Sequence, residues 1–327
     1  MTSDSPIAVE KATHPGLGLS LALASAMAFA LSGPLAKPLF GAGWNAGSVV
    51  LVRIGLAAAL VAPFGIRALG GRWWLLRRNA RVIVLYGILA VAGAQFCYFS
   101  AVERMAVGPA LLIEYTAPAG VVVWLWLRHG QRPGRLTVLG AVLAAAGLVL
   151  VLDLLSGAPV SISGVLWALG AMVGAASYFV ISADTDNGLP PLTLAAAGLA
   201  VGGLFLGLFA LIGALPVHFA THTATYAASE LPFWLPLLAL GLVTAALSYS
   251  LGIAATRHLG SRLASFVALT EVLFAVLFAW LLLDELPRVV QLAGGILVLA
   301  GVVAVKLGET QVARGDGHLL GTDQDQG

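Results

Sequence analysis

The chain has 327 residues, of which 60% are hydrophobic and only 10% carry a formal charge. Soluble domains contain about 45–50% apolar and about 25% charged residues, so this composition excludes an ordinary soluble enzyme, a nucleic-acid-binding protein and a disordered chain. The net charge of +2 points to no particular partner, and the mean hydropathy of +0.97 indicates a protein surrounded mainly by lipid.

Ten apolar runs follow a polar N-terminal tail at 1–15, and a polar C-terminal tail follows them at 308–327. A membrane-spanning helix needs about 20 apolar residues, and a helix satisfies its own backbone hydrogen bonds inside the bilayer. The sequence therefore predicts an all-α membrane protein of ten transmembrane helices. The runs lie at 16–39, 46–69, 82–102, 105–127, 136–154, 162–183, 191–214, 232–255, 260–283 and 287–307.

The basic residues are distributed unequally between the two sides of this arrangement. With ten spans, thirteen of the 17 Lys and Arg residues fall on the side of the N-terminus, three fall on the other side, and Arg53 lies within a span. Connections rich in Lys and Arg stay in the cytoplasm. Both termini are therefore predicted to be cytoplasmic, in the inner (plasma) membrane of a bacterium.

An internal repeat divides the chain. The stretch Ala101 to Gly147 aligns with Ala254 to Gly301, and the halves are predicted at 16–154 and 162–307. Because each half holds an odd number of spans, the second half enters the membrane upside down relative to the first. Such inverted five-helix repeats are typical of secondary transporters, whose substrate site lies near the midplane between the repeats.

Two acidic residues lie in the middle of predicted spans, Glu114 in the fourth and Glu271 in the ninth. A charged residue at the bilayer centre costs about 2.5–3.5 kcal/mol on insertion scales, so such residues usually face a wet cavity or pair. Either glutamate could carry a proton or bind a substrate ammonium group. The alternative is a permanently neutral side chain that forms an interhelical hydrogen bond.

Other residues in the spans extend this candidate pathway. Arg53 could snorkel outward, form a structural ion pair with Glu114 or hold a substrate carboxylate. A helix break is predicted at Gly33, Pro34 and Pro118, since proline removes a helical hydrogen bond, although a plain kink explains the first site equally well. The remaining candidates are polar or aromatic and are otherwise typical of contacts between helices: Tyr115, Thr116, Ser177, Tyr178, Ser248 and Tyr249, with Tyr86, Gln95 and Tyr98 as additions from the third span.

Several kinds of site are not expected. The single cysteine, Cys97, excludes an intrachain disulfide. The histidines have no metal-ligand spacing, and a Walker A motif is missing from the sequence. No cofactor, no metal, no catalytic residue and no nucleic-acid partner are therefore predicted.

Three short segments carry a resemblance to a known family: Pro34-Leu-Ala-Lys37, Glu114-Tyr-Thr-Ala-Pro118 and Thr244-Ala-Ala-Leu-Ser-Tyr249. With the acidic turn Asp284-Glu285-Leu286-Pro287 and the late Ala300-Gly301, they resemble the EamA-type drug/metabolite transporter superfamily, and within it the bacterial threonine/homoserine exporters. The first-half turn His129-Gly-Gln-Arg-Pro133 departs from the pattern, because it lacks the acidic residue that the superfamily often has there.

The resemblance implies a secondary transporter that exports small metabolites, amino acids such as threonine or homoserine in particular, by alternating access and with possible proton coupling. It also implies a protein that is not an enzyme. Three alternatives remain open: an exporter of drugs or other metabolites, a membrane-embedded enzyme acting on lipid intermediates, and a channel.

Overall fold

The computed structural model describes residues 15–116, 134–151, 161–184 and 186–320. Helices account for nearly all of the described first half. They are α1 Pro15–Ala30, α2 Ser32–Gly41, α3 Ala46–Leu69, α4 Trp74–Arg78, α5 Ala80–Leu85, a π-helical stretch Tyr86–Gly93, α6 Ala94–Val102, α7 Val107–Glu114 and α8 Arg135–Val151.

The second half repeats this pattern and adds two short strands. Its elements are α9 Ile162–Ala183, α10 Pro191–Leu211, β1 Ala224–Tyr226, β2 Ser229–Leu231, α11 Trp234–Gly241, a π-helical stretch Leu242–Leu247, α12 Ser248–Ala268, α13 Thr270–Leu283 and α14 Val289–Leu320.

Local sequence signals set the ends of several helices. Asn45 precedes α3 and forms a capping box with Ser48, in which each side chain bonds the other residue's backbone N–H. Gly70 ends the same helix with φ of +59°, a conformation that glycine adopts without strain. Pro191 opens α10 at a position where a missing N–H costs nothing.

Six helices of the described residues are long and apolar enough to cross a membrane: Gly16–Gly41, Ala46–Leu69, Ala80–Val102, Ile162–Ser182, Pro191–Leu211 and Trp234–Leu259. Shorter apolar helices lie at Arg135–Val151, Thr270–Leu283 and Val289–Ala304. The protein is thus a multi-pass membrane protein. Ten complete spans remain a prediction, since the fourth run is described only as far as Thr116. Residues 1–14 of the predicted N-terminal tail lie outside the described residues, whereas α14 continues into the predicted C-terminal tail as far as Leu320.

The two halves pack against each other through corresponding helices. The first apolar run (α1) packs on the eighth (α12), and the third run (α6 and its π-helical stretch) packs on the sixth (α9). The first run corresponds to the sixth and the third run to the eighth, so each of these two contacts is the repeat equivalent of the other. The second run packs on the seventh (α3 on α10), the fourth on the ninth (α7 on α13) and the fifth on the tenth (α8 on α14). This is the pairing that a pseudo-twofold axis between the halves produces.

Glycines bring the fifth and tenth runs, α8 and α14, into backbone contact. A Cβ atom on Gly147 would lie 2.6 Å from the carbonyl oxygen of Gly294, and one on Gly294 would lie 2.7 Å from the carbonyl oxygen of Gly147. Gly301 meets the carbonyl oxygen of Gly140 in the same way. In the sequence repeat Gly140 corresponds to Gly294 and Gly147 to Gly301, so the two contacts, Gly147 with Gly294 and Gly140 with Gly301, are repeat equivalents of each other.

The sequence analysis did not anticipate a short antiparallel hairpin between α10 and α11. β1 pairs with β2 so that Thr225 lies opposite Glu230. The Tyr226 hydroxyl donates to the carbonyl oxygen of Leu35 at 2.8 Å, and the Ala227 N–H donates to the carbonyl oxygen of Leu282 at 2.9 Å. Burial raises the pKa of the Tyr226 phenol above its ordinary value, so this hydroxyl remains a donor. The hairpin thus ties α2 to the end of α13.

Candidate functional site

A cavity of about 100 Å³ lies between the two halves. One water needs roughly 10–15 Å³ of such space, so the cavity has room for several waters or for a small solute. Its wall combines small, aromatic and charged side chains from α1, α6, α9, α12 and α13, among others. Eight of the predicted pathway residues line it: Arg53, Gln95, Tyr98, Glu114, Tyr115, Tyr178, Tyr249 and Glu271.

The other four candidates, Thr116, Ser177, Ser248 and Tyr86, do not line this cavity. The three aliphatic hydroxyls among them each bond a nearby helical carbonyl. Thr116 donates to Ile113 at 2.7 Å, Ser177 to Val173 at 2.9 Å and Ser248 to Thr244 at 2.6 Å. A hydroxyl that bonds the backbone within its own helix is satisfied there. These three residues therefore belong to the helices around the site rather than to the site.

Arg53 is almost fully buried, at 1% exposure, and all three of its guanidinium nitrogens donate to protein acceptors. Nε donates to the Thr244 hydroxyl at 3.0 Å, and Nη2 donates to the Ser32 hydroxyl at 3.0 Å. Nη1 donates to the side-chain oxygen of Gln95. The guanidinium also lies 5.0 Å from the centre of the Phe99 ring. Arg53 thus joins the second, first, third and eighth runs through neutral partners.

The predicted ion pair between Arg53 and Glu114 is not formed. Within the described residues, the ion pairs are Lys37–Glu285 and Glu103–Arg104. The Arg53 guanidinium donates instead to side-chain and backbone oxygens, which take the place of the Glu114 carboxylate. Glu114 nevertheless lines the same cavity as Arg53, so the two charges face a shared space.

The two acidic residues have different surroundings. The Tyr115 hydroxyl donates to Oε2 of Glu271 at 2.7 Å, which links the fourth run to the ninth. The Glu114 carboxyl has no hydrogen-bond partner within the described ranges, and its side chain faces the cavity. Glu271 is therefore held in place by a neighbour, whereas Glu114 offers both of its oxygens to whatever the cavity contains.

The two π-helical stretches contribute backbone carbonyls to the other half. In the first half, the Ala90 carbonyl accepts a hydrogen bond from the Tyr249 hydroxyl at 3.0 Å. In the second half, the Thr244 carbonyl accepts one from Nη2 of Arg53. Gln95 completes the network, because its Nε2 donates to the Tyr249 hydroxyl at 2.9 Å while its oxygen accepts from Arg53. Such π-helical turns are frequent at functional sites.

The predicted helix break in the first run is small. The helix is interrupted at Leu31, between α1 and α2, and Pro34 lies in the first turn of α2, where the missing N–H is tolerated. Gly33 packs directly against Val107 and the Tyr98 hydroxyl, so a side chain there would clash. Pro118 lies outside the described residues.

Lys37, in α2, forms an ion pair with Glu285 in the turn after α13. Both side chains are partly buried, at 30% and 28% exposure. This pair lies beside the hairpin contacts of Leu35 and Leu282, so one end of the interface between the halves is closed by a salt bridge and two hydrogen bonds.

Sequence reasoning missed three residues of the site: Ser32, Thr244 and Phe29. Ser32 and Thr244 hold Arg53, and Phe29 packs edge-on against Tyr249 with ring centroids 5.1 Å apart. A buried arginine in a predicted span was the available signal, since five N–H donors require several acceptors nearby.

Comparison with known proteins identifies this architecture. The model of the EamA-like transporter family matches residues 16–153 and again residues 162–307. The chain belongs to the EamA-like transporter family. Two matched segments account for most of the chain, so this EamA-like transporter contains two copies of the family domain.

Curated relatives of this EamA-like transporter include proteins named as exporters. The threonine/homoserine exporter RhtA of Salmonella typhimurium LT2 is 27% identical over 310 residues, which cover 93% of this chain and 95% of the relative. RhtA of Escherichia coli K12 is 26% identical over 294 residues, covering 88% and 90%. An uncharacterised transporter of Archaeoglobus fulgidus is 25% identical over 257 residues, covering 78% and 85%.

A solved crystal structure has the same fold as this EamA-like transporter. It aligns with a TM-score of 0.53 and 22% identity, over 90% of this chain and 97% of its own. At this identity the likeness concerns the fold alone. The family assignment and the apolar helices together make the protein a multi-pass membrane transporter of small molecules.

Proposed function

We propose that this EamA-like transporter exports small amino acids of the threonine and homoserine type from the bacterial cytoplasm, coupled to proton entry. The observation that carries the proposal is a cavity between the two halves that is lined by two carboxyl groups, one guanidinium and several aromatic rings. A zwitterionic solute needs partners of both charges in such a low-dielectric site. The names of the RhtA relatives support the choice of substrate.

The two acids have separate tasks in this proposal. Glu271, held by Tyr115, binds the substrate ammonium group. Glu114, which has no hydrogen-bond donor within the described part of the chain, exchanges a proton with the cavity. Because a protonated carboxyl no longer attracts a cation, proton binding and substrate release are coupled through the charge of the cavity.

Arg53 has a structural task in this proposal. Its nitrogens are occupied by Ser32, Gln95 and Thr244, so it holds the runs of both halves around the cavity. Its charge also offsets part of the negative charge of the two glutamates. The guanidinium therefore keeps the cavity near neutrality when one glutamate is protonated and the other is ionised.

Alternating access follows from the arrangement of the halves. The exchange of corresponding helix contacts between the halves supports an inverted repeat, and inverted repeats expose a central site to each side in turn. The excess of basic residues on one side supports cytoplasmic termini.

The test is export from proteoliposomes that contain purified protein and labelled threonine, with and without an imposed proton gradient. Wild type is expected to show gradient-dependent efflux and saturable counterflow. Glu114→Gln is expected to abolish the gradient dependence, whereas Glu103→Gln, in the pair with Arg104 near the protein surface, should behave as wild type. Unchanged gradient-driven efflux in Glu114→Gln would remove Glu114 from the mechanism.

A further inference from the structure

Four side chains near the cavity contain buried polar atoms that have no hydrogen-bond partner within the described residues. They are Tyr86, Tyr178, Ser182 and Arg257, and together they are called the Arg257 cluster. Six such atoms occur in the described ranges, and only the Tyr98 hydroxyl lies outside this cluster. Because buried polar groups almost always have partners, such a concentration of unpaired ones requires an explanation.

The orientation of Arg257 is specific. Its Nη1 donates to the backbone carbonyl of Leu189, which fixes the side chain. The unpaired nitrogens are Nε and Nη2, the two that share one edge of the guanidinium. That edge carries two parallel N–H groups and matches the two oxygens of a carboxylate. The protein thus holds Arg257 by one nitrogen and leaves free the edge that recognises carboxylates.

The charged group near Arg257 does not occupy this edge. Asp184 acts on Arg257 electrostatically, but the two residues form no ion pair among those of the described residues. Oδ1 of Asp184 accepts instead from the backbone N–H of Asp186 at 2.9 Å.

Two hydroxyls complete the set of donors. The Tyr86 and Ser182 side chains are fully buried, and Tyr86 is close enough to both Ser182 and Arg257 to interact with them. An unpaired buried hydroxyl destabilises a fold. Tyr86 and Ser182 lie close enough for a weak contact with each other, but neither hydroxyl bonds a carbonyl or a carboxylate of the described residues. Together with the guanidinium edge, these two hydroxyls are complementary to a group that only accepts hydrogen bonds.

Tyr178 connects the Arg257 cluster to the cavity. Its side chain lines the cavity, and its ring lies 6.2 Å from the ring of Tyr86 and 5.6 Å from that of Tyr249. Tyr178 therefore borders both the cavity and Tyr86 of the cluster. Thr256, which precedes Arg257 on α12, also lines the cavity.

We propose that the Arg257 cluster is a carboxylate-binding subsite of the transport path, separate from the acidic site of Glu114 and Glu271. It rests on the proposed function and deepens it: along the path, the exported solute is recognised by its ammonium group at the glutamates and, at a separate stage, by its carboxylate at Arg257. The span that begins at Trp234 beside the hairpin reaches Arg257 near its other end. The subsite is thus far from the closure formed by Lys37 and Glu285.

The first experiment compares L-threonine with L-threoninol, in which a hydroxymethyl group replaces the carboxylate. Proteoliposome efflux is measured for wild type, Arg257→Gln, Arg257→Lys and the control Arg104→Gln, an arginine in a connecting turn that pairs with Glu103. Wild type and Arg104→Gln are expected to prefer threonine. Arg257→Gln should lose the preference, and Arg257→Lys should retain part of it, because an ammonium group cannot bind both carboxylate oxygens in parallel.

The second experiment needs no transport. The unfolding temperature of purified protein is measured in sodium acetate and in sodium chloride of equal ionic strength, for wild type, Tyr86→Phe, Ser182→Ala and Arg257→Gln. Acetate is expected to raise the unfolding temperature of wild type, and each variant should reduce this shift. Tyr86→Phe and Ser182→Ala should unfold no earlier than wild type in chloride, because each removes an unpaired hydroxyl.

The outcomes separate the two proposals. An acetate shift that is lost in Arg257→Gln, without amino-acid efflux by wild type, supports the subsite and contradicts the proposed function. Efflux of threonine with an unchanged preference over threoninol in Arg257→Gln overturns the subsite and leaves the proposed function standing. Equal unfolding temperatures of wild type in acetate and chloride also overturn it.

Discussion

The hydroxyl of Tyr115 and the carboxylate of Glu271 form a 2.7 Å hydrogen bond across the interface between the two halves. Both residues line the cavity. Hydrogen bonds to charged groups contribute about 1.5–3 kcal/mol, so this contact is strong enough to fix the position of the carboxylate and to influence which form of it predominates.

Tyr115→Phe should therefore weaken substrate binding by removing the donor that orients Glu271. The measurement is the threonine concentration that gives half-maximal counterflow, in wild type, Tyr115→Phe, Glu271→Gln and the double variant. If the hydrogen bond is responsible, Tyr115→Phe has no further effect in the Glu271→Gln background. Additive effects of the two substitutions would contradict this explanation.

The Lys37–Glu285 ion pair predicts a charge-swap result. Lys37→Glu and Glu285→Lys each place like charges together at the end of the interface that the hairpin also closes. Each single variant should transport more slowly than wild type, and the double variant Lys37→Glu with Glu285→Lys should recover most of the rate. Because partly exposed pairs contribute only about 0–1 kcal/mol to stability, the unfolding temperature should change little. A double variant no better than either single variant would show that the pair has no role in closure.

Arg53 predicts a large loss of stability. Arg53→Met removes the donors that bind Ser32, Gln95 and Thr244, and leaves their buried acceptors without this partner. Leaving a buried polar group unsatisfied costs about 1–3 kcal/mol, so the purified protein should unfold at a clearly lower temperature. Arg104→Gln is the matched control. A wild-type unfolding temperature in Arg53→Met would contradict the structural task assigned to Arg53.

The glycine contact between α8 and α14 predicts a second loss of stability. In Gly147→Ala, the new Cβ would lie 2.6 Å from the carbonyl oxygen of Gly294, so the helices must separate. Gly55→Ala in α3 is the control, because nothing lies within 4 Å of its Cβ position, and alanine favours a helix by about 0.5–1 kcal/mol relative to glycine. Thermal unfolding of the two variants should shift in opposite directions.

The sequence predicted the helical membrane fold and eight of the residues that line the cavity, because apolar length and buried charge are visible in a single chain. Of the roles it left open for Arg53, the ion pair with Glu114 is not formed among the described residues. A list of side chains contains carboxylates but not backbone carbonyls, and two of the acceptors around Arg53 are the carbonyls of Leu240, in α11, and of Thr244, in the π-helical stretch that follows. Helical periodicity also gave no indication of the hairpin at Ala224–Leu231, whose contacts come from distant parts of the chain.

The reciprocal bonds of Ala90 with Tyr249 and of Thr244 with Arg53 have a consequence for the history of the molecule. Both acceptors are backbone carbonyls, so after a gene duplication substitutions at positions 90 and 244 leave them in place, and only the donors at 53 and 249 need to be kept. A chimera that combines the first half of one homologue with the second half of another should therefore keep both bonds whenever its halves bring arginine at 53 and tyrosine at 249.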